Sequence, residues 1–250
     1  MGGLSSSQVV PRLPASVNLW QRRTRRAQFL SQSYSACSQI LTFYSQLADW
    51  QGSVAPQVTG FREIESALPS LLEFAKRAGS PALREAADRI LLERTDLANV
   101  VRQYWDSPGD LSVDDFFARA VLQVVASHLP EGMDCPWCTR LPQVGCLREQ
   151  GDGKALELVC ALCLRRRAFQ RGRCVACNES SESKLASFVA EAYPHIRVQA
   201  CESCHGYLNV VDLTRDPASI PEVDELAALP LDLWAAEHGY HKLQSNIVGV

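Results

Sequence analysis

The sequence predicts an α+β protein: an all-helical N-terminal unit, two tandem four-cysteine modules, and a C-terminal helix. Three observations carry this. Apolar residues recur in steps of three and four through the first half of the chain. Ten cysteines stand in 250 residues, and eight of them form four Cys-x-x-Cys pairs, all after residue 134. Short alternating runs and turn residues fill the stretches between those pairs.

Composition narrows the class. Apolar residues are 46%, enough for a sizeable core. Charged residues are 21% and the net charge is −3, which excludes bulk disorder and a generally cationic nucleic-acid surface. No apolar run is long enough for a membrane-spanning helix. The start, Met1-Gly2-Gly3-Leu4-Ser5-Ser6-Ser7, is polar and does not read as a secretory signal. Thr24-Arg25-Arg26-Ala27-Gln28-Phe29-Leu30 holds twin arginines, but the Ser- and Gln-rich Ser31 to Gln39 that follows is no export signal's hydrophobic stretch. A cytoplasmic location is expected. In that reducing compartment paired thiols point to metal or redox chemistry, not to disulfides.

Residues 1–17, with three serines in a row and two prolines, read as a flexible arm. From Leu19 through Tyr34, Cys37, Leu41 and Leu47 the stripe predicts one long helix ending near Trp50, with Cys37 as a core residue. After a linker at Gly52 to Gly60, Phe61 to Ala75 is helical, and Pro69 should kink or split it. Ser80-Pro81 opens a third helix carrying Leu83 to Tyr104, stopped by Ser107-Pro108-Gly109. Ser112 with Asp115 resembles a capping box for a fourth, bearing Phe116 to Val125. Composition changes at Pro130-Glu131-Gly132. Val144 to Glu149 and Ala155 to Val159 read as a hairpin with an Asp-Gly turn, and Ile196 to Ala200 and Tyr207 to Leu213 as further strands. Val223 to Trp234 returns to helical spacing, with a kink at Pro230 and a cap at Gly239.

The four pairs are Cys135/Cys138, Cys160/Cys163, Cys174/Cys177 and Cys201/Cys204. Their gaps run C-x2-C-x21-C-x2-C, ten residues, then C-x2-C-x23-C-x2-C. Two nearly equal units in tandem form an internal repeat with rubredoxin or zinc-ribbon spacing. A Cys-x-x-Cys turn sets two sulfurs on one side of a tight loop, and two such knuckles complete a tetrahedron. With four protein ligands no position is left for water or substrate, so the chemistry is structural or electron-transferring, not hydrolytic. Two metal ions in tetrathiolate sites are expected; zinc and iron suit four sulfurs alike. Consecutive pairing assigns Cys135, Cys138, Cys160 and Cys163 to one ion and Cys174, Cys177, Cys201 and Cys204 to the other, with interleaved pairing left open. The expected domains are 1–17 (arm), 18–129 (helical), 130–168 (first module), 169–214 (second module) and 215–250 (C-terminal helix and tail). Cys146 reads as packing, and His128, His195, His205, His238 and His241 as surface or core groups.

Arg165 to Arg173 holds five arginines in nine residues. This run offsets the thiolate clusters on either side, or binds phosphate or an acidic peptide. A nucleic-acid-binding zinc ribbon through this run is thus one alternative function. A rubredoxin-like electron-transfer or thiol redox protein is another.

Taken together, residues 18–250 resemble the formate dehydrogenase accessory protein (FdhE) family. The resemblance rests on Gln21-Arg22-Arg23-Thr24-Arg25-Arg26-Ala27, on Leu47-Ala48-Asp49-Trp50-Gln51, and on the four knuckles in order. It is most specific at Cys201-Glu202-Ser203-Cys204-His205-Gly206-Tyr207-Leu208, and closes at Leu231-Asp232-Leu233-Trp234 to Tyr240 with Asn246. Thr139, Leu164, Asn178 and His205 stand where the family often has a glycine after a knuckle's second cysteine; threonine tolerates a positive φ poorly there. The resemblance implies a non-enzymatic cytoplasmic maturation factor with two rubredoxin-like modules, iron being the implied metal. It would bind the catalytic subunit of a respiratory formate dehydrogenase exported by the twin-arginine route, or a related molybdenum or tungsten oxidoreductase. Self-association stays open, and neither nucleic acid nor membrane insertion is implied.

Overall fold

A computed structural model of the chain describes residues 19–106, 113–130 and 135–249. The expected arm, the Ser107-Pro108-Gly109 stop and the Ser112 cap lie outside them. The expected helical N-terminal unit, sheet region with four-cysteine clusters and C-terminal helices are all present.

The long first helix is instead a hairpin of α1 (Leu19–Ser33) and α2 (Ser38–Val54), joined by a 3₁₀ turn at Ser35–Cys37. The break has a local cause. The Ser31 and Ser33 hydroxyls donate back to the carbonyls of Gln28 and Phe29, and Tyr34 leaves the helical region at φ −121° and ψ 84°. The two helices cross tightly: a Cβ on Gly52 would stand 2.9 Å from the Trp20 Cβ. Cys37 is buried in the core as expected.

The helix α3 (Ile64–Ala78) runs through Pro69 without the split that was one of the two expected outcomes. Pro69 leaves the Glu65 carbonyl without its donor, but Glu65 is exposed, so water can serve it. The third helix divides into α4 (Pro81–Glu93) and α5 (Leu97–Asp106). Arg94 turns left-handed at φ 53°, and the Asp96 carboxylate caps the new helix through the Asn99 amide. Fully buried Phe117, Val121, Leu122 and Val124 on α6 (Val113–Ser127) pack with Leu41, Leu47 and Leu71 at the centre of the helical core.

The second half is one sheet. Its strands are β1 (Val144–Gln150), β2 (Gly153–Val159), β3 (Arg166–Phe169), β4 (Leu185–Val189), β5 (Ile196–Cys201), β6 (Gly206–Asp212) and β7 (His241–Lys242). The order is β3-β2-β1-β6-β5-β4, with β7 beside β6. Each cysteine unit is an antiparallel three-stranded sheet, and the two join in the same sense through the parallel β1–β6 pair. The β1–β2 register pairs Gln150 with Gly153, so the two-residue turn is Gly151-Asp152, one residue earlier than expected, with Gly151 at φ +54°.

The C-terminal helix is two: α7 (Pro221–Ala227) and α8 (Leu229–Glu237). The chain breaks at Ala228, which puts Pro230 in the first turn of α8, where a proline costs nothing. The helices dock through buried charge. Arg23 donates to Glu222 at 2.9 Å, and Arg26 pairs with Asp224 and with Asp216. Burial alone would raise the Asp224 carboxyl, but hydrogen bonds from His195 and Arg26 outweigh it and hold it below its ordinary value. A second network joins Lys242 to Glu225 and Asp232, with Tyr207 and Asn209 also donating to Asp232.

Candidate metal centres

Each of the four knuckles lies at an end of the strands described above. The first two flank the β1–β2 hairpin; the last two flank β4–β5. The hairpins return the chain so that consecutive pairs meet. Cys135, Cys138, Cys160 and Cys163 form one cluster and Cys174, Cys177, Cys201 and Cys204 the other, with all sulfurs of each within 4.8 Å of one another. The consecutive grouping is therefore the one the fold brings together.

In the first cluster Cys135 to Cys138 is 3.4 Å, Cys135 to Cys160 3.5 Å and Cys138 to Cys163 3.4 Å between sulfurs. In the second, Cys174 to Cys204 and Cys177 to Cys201 are both 3.7 Å. A disulfide needs about 2.05 Å. A tetrahedron with metal–sulfur bonds of about 2.3 Å has edges of about 3.8 Å. The second cluster matches that tetrahedron and the first is slightly contracted from it, so four soft donors fit one ion in each place. All ten cysteines are free thiols.

Three knuckles share one backbone device. The amides of Leu164, Asn178 and His205 donate to the carbonyls of Cys160, Cys174 and Cys201 at 3.1, 3.1 and 2.8 Å. Those three residues take φ values of 58°, 63° and 56°. Even Leu164 accepts this strain, while the branched Thr139 does not adopt it. The first knuckle closes differently, through Cys138 to the Cys135 carbonyl and Arg140 to the Trp137 carbonyl, both at 3.0 Å. The Gly206 amide points at the Cys204 sulfur, 3.4 Å away. Thiol hydrogen bonds from Cys135 and Cys163, aided by the Leu162 and Cys163 amides, hold Cys160 below its ordinary value. That direction favours the thiolate, the form in which cysteine ligates a metal.

The surroundings differ. The first cluster belongs to the helical core: Cys135, Cys160 and Cys163 are buried with Trp137, whose ring lies 5.2 Å from Tyr104. Ala161, between Cys160 and Cys163, receives two hydrogen bonds from the fully buried Arg119. The second cluster lies away from the helical core, with Cys177 exposed and Cys204 half-buried.

Cys146 is packing, as expected: it is buried against Val159 and Val211, and burial pushes its thiol up to about 11. His195 is a core group, 3.0 Å from Asp224. It forms a third potential metal group with Asp216 and Asp224, but the Arg26 guanidinium is already bound to both carboxylates. The arginine run contains β3, which the sequence reading missed. Arg165, Arg167 and Arg171 donate to the carbonyls of Pro130, Arg140 and Lys154. Also missed was the Arg23 and Arg26 clamp on α7. Its signal was legible in outline: two arginines one helical turn apart, and the acids of Pro221-Glu222-Val223-Asp224-Glu225.

Among the described residues no helix is long and apolar enough to cross a membrane. A sequence model of the family described as FdhE, C-terminal domain, matches residues 173–248. A protein from Aquifex aeolicus named as an FdhE homolog is 22% identical over 93% of this chain and 98% of its own. The homolog from Pseudomonas aeruginosa is 32% identical over 53% of this chain, a match spanning about half of that relative, 48%. The crystal structure of the FdhE protein from Pseudomonas aeruginosa superposes with a TM-score of 0.71 over 92% of this chain and 95% of that one, at 24% identity. The paired thiols, the matched C-terminal region, the end-to-end homolog and the shared fold agree: the chain resembles FdhE proteins along most of its length, and most directly over residues 173–248.

Proposed function

We propose that the chain is a cytoplasmic, non-enzymatic accessory factor that binds the catalytic subunit of a formate dehydrogenase and supports its assembly. In this reading Cys135, Cys138, Cys160 and Cys163 ligate one metal ion and Cys174, Cys177, Cys201 and Cys204 a second. The helical unit 18–129 is the platform, 130–168 and 169–214 are the metal modules, and 215–250 clamps them to it. The observation that carries the reading is the pair of four-thiol cages, each closed to substrate, on a frame shared with FdhE proteins. A closed tetrathiolate site organises a surface or passes an electron; it does not activate water. Each ion would tie together the two knuckles at the ends of one hairpin. Iron is favoured by the family.

Copurification of the tagged, anaerobically handled chain with a formate dehydrogenase catalytic subunit from a shared host tests the reading. Capture is expected, as is its loss in the double variant Cys201→Ser, Cys204→Ser. No capture by the metal-loaded wild type overturns it. The exposure of Cys177 also supports a second reading, electron transfer at the outer centre, because transfer requires one edge of the cage near solvent. A thiolate-to-iron(III) absorption band that bleaches and returns with reductant and oxidant supports that reading; occupancy by zinc alone removes it.

A further inference from the structure

The face of the sheet turned away from α7 carries an apolar cluster in which no helix residue takes part: Leu147, Leu156 and Leu208 at its centre, with Phe169, Val175 and Leu243 packed around them. Beside it opens a cleft of about 350 Å³. Its floor is apolar: the half-buried Val175, Leu185 and Leu243 lie over the buried Leu147, Leu156 and Leu208. Arg171, Arg173 and Arg197 stand in its walls, Glu182 is the one carboxylate among its lining residues, and Cys174 and Cys201 of the second cage close one end. The arginines are not spent on each other's neighbours equally. Arg197 reaches Asp212, which Lys154 also holds at 2.7 Å, and Arg171 rests on a neutral carbonyl. Arg173 meets no partner among the described residues.

We infer that this cleft binds an extended peptide segment in which leucine-like and acidic side chains alternate. The argument is complementarity at strand spacing. Alternate residues of an extended chain point to opposite sides, so one set of apolar side chains reaches the leucine floor while carboxylates meet the arginine rim. Arginine's planar donor fork suits carboxylates. The volume takes a few side chains and is in the range of small-ligand sites, too narrow for a helix or a duplex. Single-stranded nucleic acid binds on aromatic stacking platforms, and the lining contains no aromatic ring. A peptide seated here lies against two ligands of the outer centre. The inference is independent of which protein supplies the segment, so it survives a failure to capture formate dehydrogenase, and its own failure leaves that capture untouched.

The test uses the metal-loaded full chain and a fluorescein-labelled nonapeptide of alternating aspartate and leucine, followed by anisotropy. Three probes compete: the same peptide with lysine for aspartate, the same with serine for leucine, and a uridine dodecamer. Saturable binding of the first alone is expected, weakening as salt rises. The double variant Arg171→Glu, Arg173→Glu should weaken it at least tenfold, the effect of about 1.4 kcal/mol, while Arg22→Glu on α1 leaves it unchanged. Both arginines of the pair are exposed, and unchanged metal content shows that the variant has folded. Should metal be lost, Arg173→Gln takes its place, with a loss of at least about threefold expected. No binding, equal binding of the lysine or serine peptide, tighter binding of the dodecamer, or full affinity in the folded variants overturns the inference.

Discussion

Replacing Arg119 with methionine keeps the length of the side chain and removes a guanidinium that makes five hydrogen bonds: two to the Ala161 carbonyl, one each to the carbonyls of Ser245 and Asn246, and one to the Gln143 side chain. Arg119 is 0% exposed, and burial lowers its pKa, so the wild type already bears a desolvation cost that methionine relieves. Against that relief, three carbonyls lose their charged donor. Each acceptor left unsatisfied costs about 1–3 kcal/mol, which leaves a net loss of about 3 kcal/mol. For a chain of this size that lowers Tm by roughly 6–12 °C. The loss is local. Ala161 lies between two ligands of the first cage, and Ser245 and Asn246 anchor the tail against the same helix. Outer supports of metal sites are worth about 10–100-fold in metal affinity. Anaerobic protein mixed with a chromogenic chelator should therefore release one ion at least about tenfold faster than wild type, and the other at an unchanged rate. Release of each ion at its wild-type rate, with Tm unmoved, refutes the reasoning.

Three further outcomes follow from the same structure. In the wild type the second centre, with Cys177 exposed, should surrender its ion to the chelator before the buried first centre; Cys177→Ser should then abolish the early phase alone. Gly52→Val sets branched carbon where even a Cβ comes within 2.9 Å of Trp20, and overpacking of this kind should cost about 1–3 kcal/mol in urea unfolding. Burial and the Asp232 carboxylate push the Tyr207 phenol well above its ordinary value. The folded state thus keeps a proton that the unfolded chain loses above about pH 10. The stability from that group is complete below pH 10 and is lost as pH rises toward the folded value. Tyr207→Phe should make the decline of unfolding free energy between pH 10 and 12 measurably shallower.

The candidate site was the most legible part of the sequence, because Cys-x-x-Cys spacing is set by ligand geometry and needs no knowledge of the fold. The grouping of the pairs was only half legible: spacing allowed an interleaved arrangement, the β1–β2 hairpin that joins the first two pairs was read, and the strand β4, which pairs with β5 between the last two, was not. Helix positions were read well and helix ends poorly. Tyr34, Arg94 and Ala228 each break a continuous apolar stripe by a local backbone choice that periodicity does not register. The strand β3 was hidden inside an arginine run, since an edge strand with exposed side chains has no alternation to display. The fusion of two cysteine units into one sheet through β1 and β6 left no sequence signal. Neither did the pairing of Arg26 with Asp224, 198 residues apart, although the charges themselves were in view.

X-ray absorption on anaerobically purified protein, with metal counted per chain, tests the two-cage account most directly. Two ions per chain, each with four sulfur neighbours at about 2.3 Å, is the expected result. Fewer than one ion per chain, or oxygen and nitrogen in place of sulfur, contradicts it.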